Sequence, residues 1–307
     1  MRIGTSVAEP SGPDALVNVA DQLRVAVDDG FASAWMSNIF GLEALTALAV
    51  AGSQVPDIEL GTAVVPTYPR HPAVLAQQAL TADLAVGGRL ALGIGLSHQI
   101  VIEDMYGYSF DKPARHMREY LAVLIPLLAG EVADFDGETV RAHIGLSTPR
   151  SGRKVPLLLA ALAPQMLRLA GRHADGTILW MTGPATVRDY IVPAITTAAS
   201  EAGRPDPRVV CVLPVCVTDD PAKARADAAK AFAIYGQLPS YRAMLDREGA
   251  KEPGDVAITG NEDAVAAQIS ALAQAGVTDF VAGEYAHGDD QLRTRALLKS
   301  LAQQASS

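Results

Sequence analysis

Residues 61–98 read GTAVVPTYPRHPAVLAQQALTADLAVGGRLALGIGLSH, and their pattern sets the fold. An apolar run from Ile58 to Val65 opens the stretch, bounded by turn residues. Strands covered on both faces lose polar alternation, so this run predicts a buried strand. Pro66, Pro69 and Pro72 then break regular structure. Pro72 suits the first turn of a helix, where its missing N–H costs nothing. Ala73 to Val86 has helical spacing, with Leu75, Ala79, Ala82 and Val86 on one face, and Gly87-Gly88 ends it. Arg89 to Ile94 is a second buried apolar run. Such a strand–helix–strand unit implies parallel strands and a right-handed crossover. Arg70 and His71 lie past the first run; Gly95, Leu96, Ser97 and His98 lie past the second. Ligands of α/β folds bind at strand carboxyl ends, so a site is expected here.

The same punctuation recurs along the chain. Helix, glycine, apolar strand is the order at Gly30, Gly88, Gly176 and Gly276, each read as a left-handed helix end. Candidate strands lie near 2–7, 33–37, 58–65, 89–95, 155–161, 177–181, 209–217 and 278–283. Strands alternating with helices in this number predict an α/β (β/α)8 TIM barrel rather than a doubly wound sheet. Asp14 is placed to cap a first helix with Leu16, Ala20, Leu23 and Val27 on one face. One domain over 1–307 is expected, with insertions at strand carboxyl ends. These are a Tyr- and Asp-rich loop at 97–112, a polar stretch at 131–154 read as a hairpin, and extra helix at 220–260. The last helix is read at 289–303.

Composition excludes several classes. Hydrophobic residues make up 49% of the chain, enough for a substantial core. A net charge of −9 argues against a nucleic-acid partner held by bulk attraction. Cys211 and Cys216 have odd spacing, so on one strand they face opposite ways and do not bridge. A reducing, cytoplasmic location is expected, with no signal peptide and no membrane span. The histidines at 71, 98, 116, 143, 173 and 287 show no i,i+4 pair and no Cys/His cluster, so no metal is expected. There is no Gly-x-Ser-x-Gly elbow and no phosphate-binding P-loop, which disfavours serine acyl transfer and P-loop phosphoryl transfer.

His98 is the leading catalytic candidate, because its position and pKa range suit proton transfer. The plainer reading is a loop histidine bonded to backbone. Gly93 and Gly95 either let backbone approach a flat ligand or allow close packing in the barrel. Arg70-His71-Pro72 puts a cation just before a helix at the expected site, or serves as a helix cap with a surface ion pair. The helix opened by Pro164 has amides able to hold a phosphate. Trp180 either lines an apolar pocket or belongs to the core.

Four segments resemble the luciferase-like monooxygenase superfamily, in particular its actinobacterial branch that uses the deazaflavin coenzyme F420. They are GTAVVPTYPRHP; TADLAVGGRLALGIGLSH with EDMYGYSFDKPARHMREYL; VPLLLAALAPQMLRLAGRHADGTILWMTGP; and VAITGNEDAVAAQISALAQAGVTDFV. The resemblance implies a barrel with a bulged third strand and a non-prolyl cis peptide at Ala63–Val64. It implies cofactor-ring contacts from Ser37, Asn38, Ala63, Val64, Val65, Thr67, Leu96, Ser97 and His98, and a phosphate turn at Leu162, Ala163, Gln165 and Met166. The implied activity is hydride transfer between F420 and a small organic substrate, in a homodimer. An FMN monooxygenase using reduced flavin and oxygen is the first alternative, and a non-catalytic cofactor-binding barrel the second. Asn38-Ile39 stands where relatives often have Asp-His, His98 where some have Glu, and Leu162-Ala163 where those have Gly-Gly. These departures put a sugar-phosphate substrate in question.

Overall fold

The run predicted as one strand over 58–65 is divided. Strand β3 covers Glu59–Thr62 and stops; Val65–Pro66 then pairs separately with the next strand. The structure is a computed structural model and describes residues 1–306. In chain order the strands are β1 (Arg2–Ser6), β2 (Ser33–Met36), β3, β4 (Leu90–Gly95), β5 (Leu157–Ala160), β6 (Gly176–Trp180), β7 (Arg208–Val217) and β8 (Asp279–Glu284). The hydrogen-bonded order runs β7-β8-β1-β2-β3-β4-β5-β6, and β6 also pairs with β7, which closes the ring. This is the parallel (β/α)8 barrel the sequence predicts.

Residues cluster into two compact units: Met1–Ser6, Val25–Trp35 and Ala161–Ser307; and Val7–Arg24 with Met36–Ala160. In the first, β1 pairs in parallel with β8 (Arg2↔Asp279) and with β2 (Gly4↔Ser33). Strand β7 pairs in parallel with β8 (Val210↔Asp279) and β6 (Arg208↔Gly176). At the amino ends of β1, β7 and β8, buried Asp279 receives Arg2 at 3.1 Å and Arg208 at 2.7 Å. One carboxylate thus ties three strand starts, on the face of a barrel that serves stability. Gly176 is not the helix end expected from the sequence. It is the first residue of β6, and a Cβ there would stand 2.1 Å from the Arg208 carbonyl oxygen. Close approach of two strands, not a turn, requires this glycine. Insertion residues 220–260 hold two α-helices, Pro221–Ala231 and Pro239–Glu248, two short 3₁₀ turns, Ala233–Gly236 and Pro253–Val256, and a short strand, Ile258–Gly260.

The second unit contains the stretch quoted first. Helix α1, Ala15–Asp28, begins in the neighbouring sequence and buries Val19, Ala20, Leu23 and Ala26. Leu16 and Val27, expected on that face, stay partly exposed. Helix α2 (Ala44–Gly52) is capped by the Glu43 side chain, which accepts from Leu45 and Thr46 N–H. Helix α3 (Pro72–Ala85) is capped by His71 and closed by Gly87 and Gly88, both with positive φ. Strand β4 is buried throughout and pairs in parallel with β3 (Leu60↔Leu90) and β5 (Leu92↔Leu157). Helix α4 covers Pro113–Ala129, and the predicted hairpin pairs Ala133–Asp136 with Arg141–Ile144 in antiparallel register.

Candidate active site

At the carboxyl end of β3 the chain leaves the sheet through Ala63–Val64, whose peptide bond is cis, as the resemblance implies. Local hydrogen bonds hold this loop. Ala63 N–H donates to the Met36 carbonyl at 2.8 Å. Thr62 and Gly93 exchange two bonds: the Gly93 N–H donates to Thr62 Oγ1, and the hydroxyl donates to the Gly93 carbonyl. The side chain of Val64 lies over β4. A Cβ on Gly95 would stand 2.7 Å from Val64 Cγ2, and one on Gly93 would stand 2.0 Å from the Thr62 carbonyl oxygen. The Gly-x-Gly of the sequence is therefore the seat of this loop. Ala63 and Val64 remain partly exposed.

Thr67 fixes the far side of the loop. Its N–H donates to the Gly95 carbonyl at 2.9 Å, and its hydroxyl shares a 3.1 Å hydrogen bond with His116 Nε2 from α4. The His116 ring stacks on Tyr68 with centroids 3.9 Å apart and planes 8° apart, and Tyr68 stacks in turn on Phe110. Burial lowers the His116 pKa to about 4 against the pull of Glu119, so the imidazole is neutral at pH 7. Burial, with Asp111 and Glu103 nearby, pushes the Tyr68 phenol up to about 12. Val65 and Thr67 are themselves fully buried. Their part is to hold the loop, while Ala63 and Val64 offer exposed surface. Sequence reasoning did not assign His116; the one local signal was its place on the helix that follows the Tyr-rich loop.

Leu96, Ser97 and His98, past the end of β4, are each partly exposed. Ser97 has φ +61°, a left-handed conformation that a non-glycine residue holds only where its surroundings demand it. The His98 carbonyl accepts from Val101 and Ile102 N–H and starts a π-helical turn, Ile100–Met105. Such turns recur at functional sites. Burial lowers the His98 pKa, so its side chain is neutral at pH 7. Past β2, Ser37 and Asn38 are partly exposed, and Asn38 Oδ1 accepts from the Ala44 N–H at the start of α2. Arg70 pairs with Glu43 at 3.1 Å, the structural role expected of it.

In the other unit, Leu162, Ala163, Gln165 and Met166 open helix α5 (Pro164–His173). Met166 is buried, and the Leu162 carbonyl accepts from the Tyr190 hydroxyl at 3.0 Å, leaving Ala163 and Gln165 exposed. Tyr190 belongs to a second π-helical turn, Val187–Ile191, and carries Arg247 over its ring at 4.0 Å. Met181, just past β6, has φ +51°. Cys211 and Cys216 are free and buried. Among the described residues no three His, Cys, Asp or Glu side chains are grouped to hold a metal, and no helix is long and apolar enough to cross a membrane.

A ring of parallel strands with a glycine-seated loop after β3 and a histidine after β4 defines an α/β-barrel enzyme with its polar groups at the strand carboxyl ends. The chain belongs to the luciferase-like monooxygenase family, which matches residues 1–303, and it is an oxidoreductase. A 5,10-methylenetetrahydromethanopterin reductase of Methanolobus tindarius is 28% identical over 300 residues, spanning 88% of this chain and 91% of its own. An F420-dependent glucose-6-phosphate dehydrogenase of Nocardia farcinica is 34% identical over 216 residues, spanning 64% of this chain and 62% of its own. The coenzyme F420-dependent tetrahydromethanopterin reductase of Methanopyrus kandleri has the same fold, with a TM-score of 0.79 at 23% identity and 98% and 97% of the two chains covered.

Proposed function

We propose that the protein is a coenzyme F420-dependent oxidoreductase that moves a hydride between the deazaflavin and a small organic substrate. The observation that carries this reading is the partly exposed Ala63–Val64 surface seated on Gly93 and Gly95. Apolar residues on a loop seated closely on glycines suit a planar tricyclic ring, and relatives that use F420 support that choice of ring. When bound, such a ring supplies the hydride chemistry; the protein supplies orientation and a dry pocket. Ala63 and Val64 would back the ring. Ser37, Asn38, Leu96 and Ser97 would meet its polar edge, and Val65 and Thr67 would hold the loop in place.

His98 handles the proton. Neutral at pH 7, it has one unprotonated ring nitrogen that accepts a proton from a substrate hydroxyl. In the reverse direction the imidazolium returns that proton to a carbonyl oxygen. The test is a titration of the purified protein with F420 and, separately, FMN. Saturable binding of F420 with much weaker FMN binding is expected. Selective FMN binding coupled to oxygen uptake would overturn the reading in favour of a flavin monooxygenase.

A further inference from the structure

Aromatic residues are only 5% of the chain, yet five of them meet in one cluster. Trp180, the last residue of β6, meets Phe232 edge-on at 5.4 Å and 83°, and Tyr235 at 5.7 Å and 75°. Tyr235 meets Tyr241 at 5.1 Å and 87°, and Phe232 meets Tyr285 at 6.2 Å and 80°. Phe232, Tyr235 and Tyr241 come from the 220–260 insertion, and Tyr285 directly follows β8. The cluster thus stands at strand carboxyl ends, the face of a barrel where ligands bind.

This cluster is not closed core. All five side chains stay partly exposed, whereas the other tryptophan, Trp35, is 0% exposed. Near-perpendicular contacts engage the edge of one ring and the face of its neighbour, so an array of them leaves further faces and edges to a visitor. The array is also braced. Tyr285 donates its hydroxyl to the Ala224 carbonyl at 3.1 Å. Glu248, the carboxylate at the end of the second insertion helix, is taken up by the Ala185 and Thr186 N–H groups.

We propose that this array is a binding surface for a planar, uncharged aromatic compound, whichever cofactor the enzyme uses. Ring faces and edges reward a flat π system by about 0.5–1.5 kcal/mol per contact, and they offer little to a sugar phosphate, which needs cations and hydrogen-bond donors.

Calorimetric titration of the full-length protein, with and without F420, tests this with three probes: 2-naphthol, cyclohexanol and glucose 6-phosphate. Saturable binding of 2-naphthol is expected, at least about ten-fold tighter than either other probe. Tyr235→Ala, and separately the milder Phe232→Leu, should weaken 2-naphthol binding by about three- to ten-fold while F420 affinity stays within two-fold. Unchanged F420 affinity shows that both variants are folded. Equal affinity for cyclohexanol or glucose 6-phosphate, absent 2-naphthol binding, or unaltered 2-naphthol binding in both variants would overturn the proposal. Failure of the wild-type protein to bind F420 counts against the F420 reading instead, and the titrations without F420 still read the aromatic array.

Discussion

The Thr67–His116 hydrogen bond joins the loop after β3 to α4, and its worth can be measured. His116→Phe keeps a ring against Tyr68, now 3.9 Å away, but removes the nitrogen that partners Thr67 Oγ1. Thr67 is 0% exposed, so water cannot replace the lost partner without rearrangement. Leaving one buried hydroxyl unpaired costs about 1–3 kcal/mol. At about 2.1 cal/mol/K per residue, the unfolding entropy of this chain makes each kcal/mol worth about 1.5 °C. His116→Phe should therefore lower Tm by about 2–5 °C at pH 7.5. Thr67→Val should cost a similar amount, and the double variant less than the sum, because no polar group is then stranded.

The pH dependence gives an independent check. Folding lowers the His116 pKa from 6.5 to about 4, so between those values the unfolded chain binds the proton and the folded chain does not. This contribution to stability is present above pH 6.5 and is lost as pH falls through about 4. His116→Phe lacks the titration, so its deficit against wild type should shrink as melts are taken from pH 7.5 down to 4.5. Strictly additive single and double variants, or a deficit that is constant with pH, would refute the reasoning.

Other outcomes follow from the same geometry. Gly95→Ala should push on Val64 and weaken F420 binding by about ten-fold, whereas Gly93→Ala meets the Thr62 backbone at 2.0 Å and should reduce folded yield as well, both read by titration and thermal melts. Asp279→Asn should cost about 1–3 kcal/mol in urea unfolding, because Arg2 and Arg208 lose the charge of their buried partner while staying partly open to water, with F420 affinity unchanged. His98→Ala should lower turnover by about 100-fold or more with F420 affinity within a few-fold; equal turnover would remove His98 from the reaction. In the direction that removes a proton from substrate, wild-type activity should hold near pH 7 and fall on acidification, since His98 must be neutral and burial lowers its pKa.

Much of the barrel was legible in the order of residues. Buried runs, helical spacing and the glycines at 30, 87, 88 and 276 act within one or two turns of chain, and the structure has these elements within a few residues of their predicted ends. His71 was legible as a cap for the same reason, whereas the ion-pair partner of Arg70, Glu43, lies 27 positions away. Part of the candidate site's geometry was legible too: the close approach at Gly93 and Gly95, and the break at Ala63–Val64 through resemblance.

Tertiary structure decided what depends on contacts between distant residues. Thr67 and His116 are 49 positions apart, and no local pattern marks a histidine on a helix as the partner of one particular hydroxyl. Gly176 carried the sequence mark of a helix end, but its need for a bare Cα comes from Arg208 on the neighbouring strand. Positions 180, 232, 235, 241 and 285 share no spacing; their rings meet because β6, β7 and β8 lie side by side and the insertion returns over their ends. Sequence alone determined which segments become strand or helix, since those preferences are local. Which side chains converge past the strand ends was fixed only by the register of the closed ring.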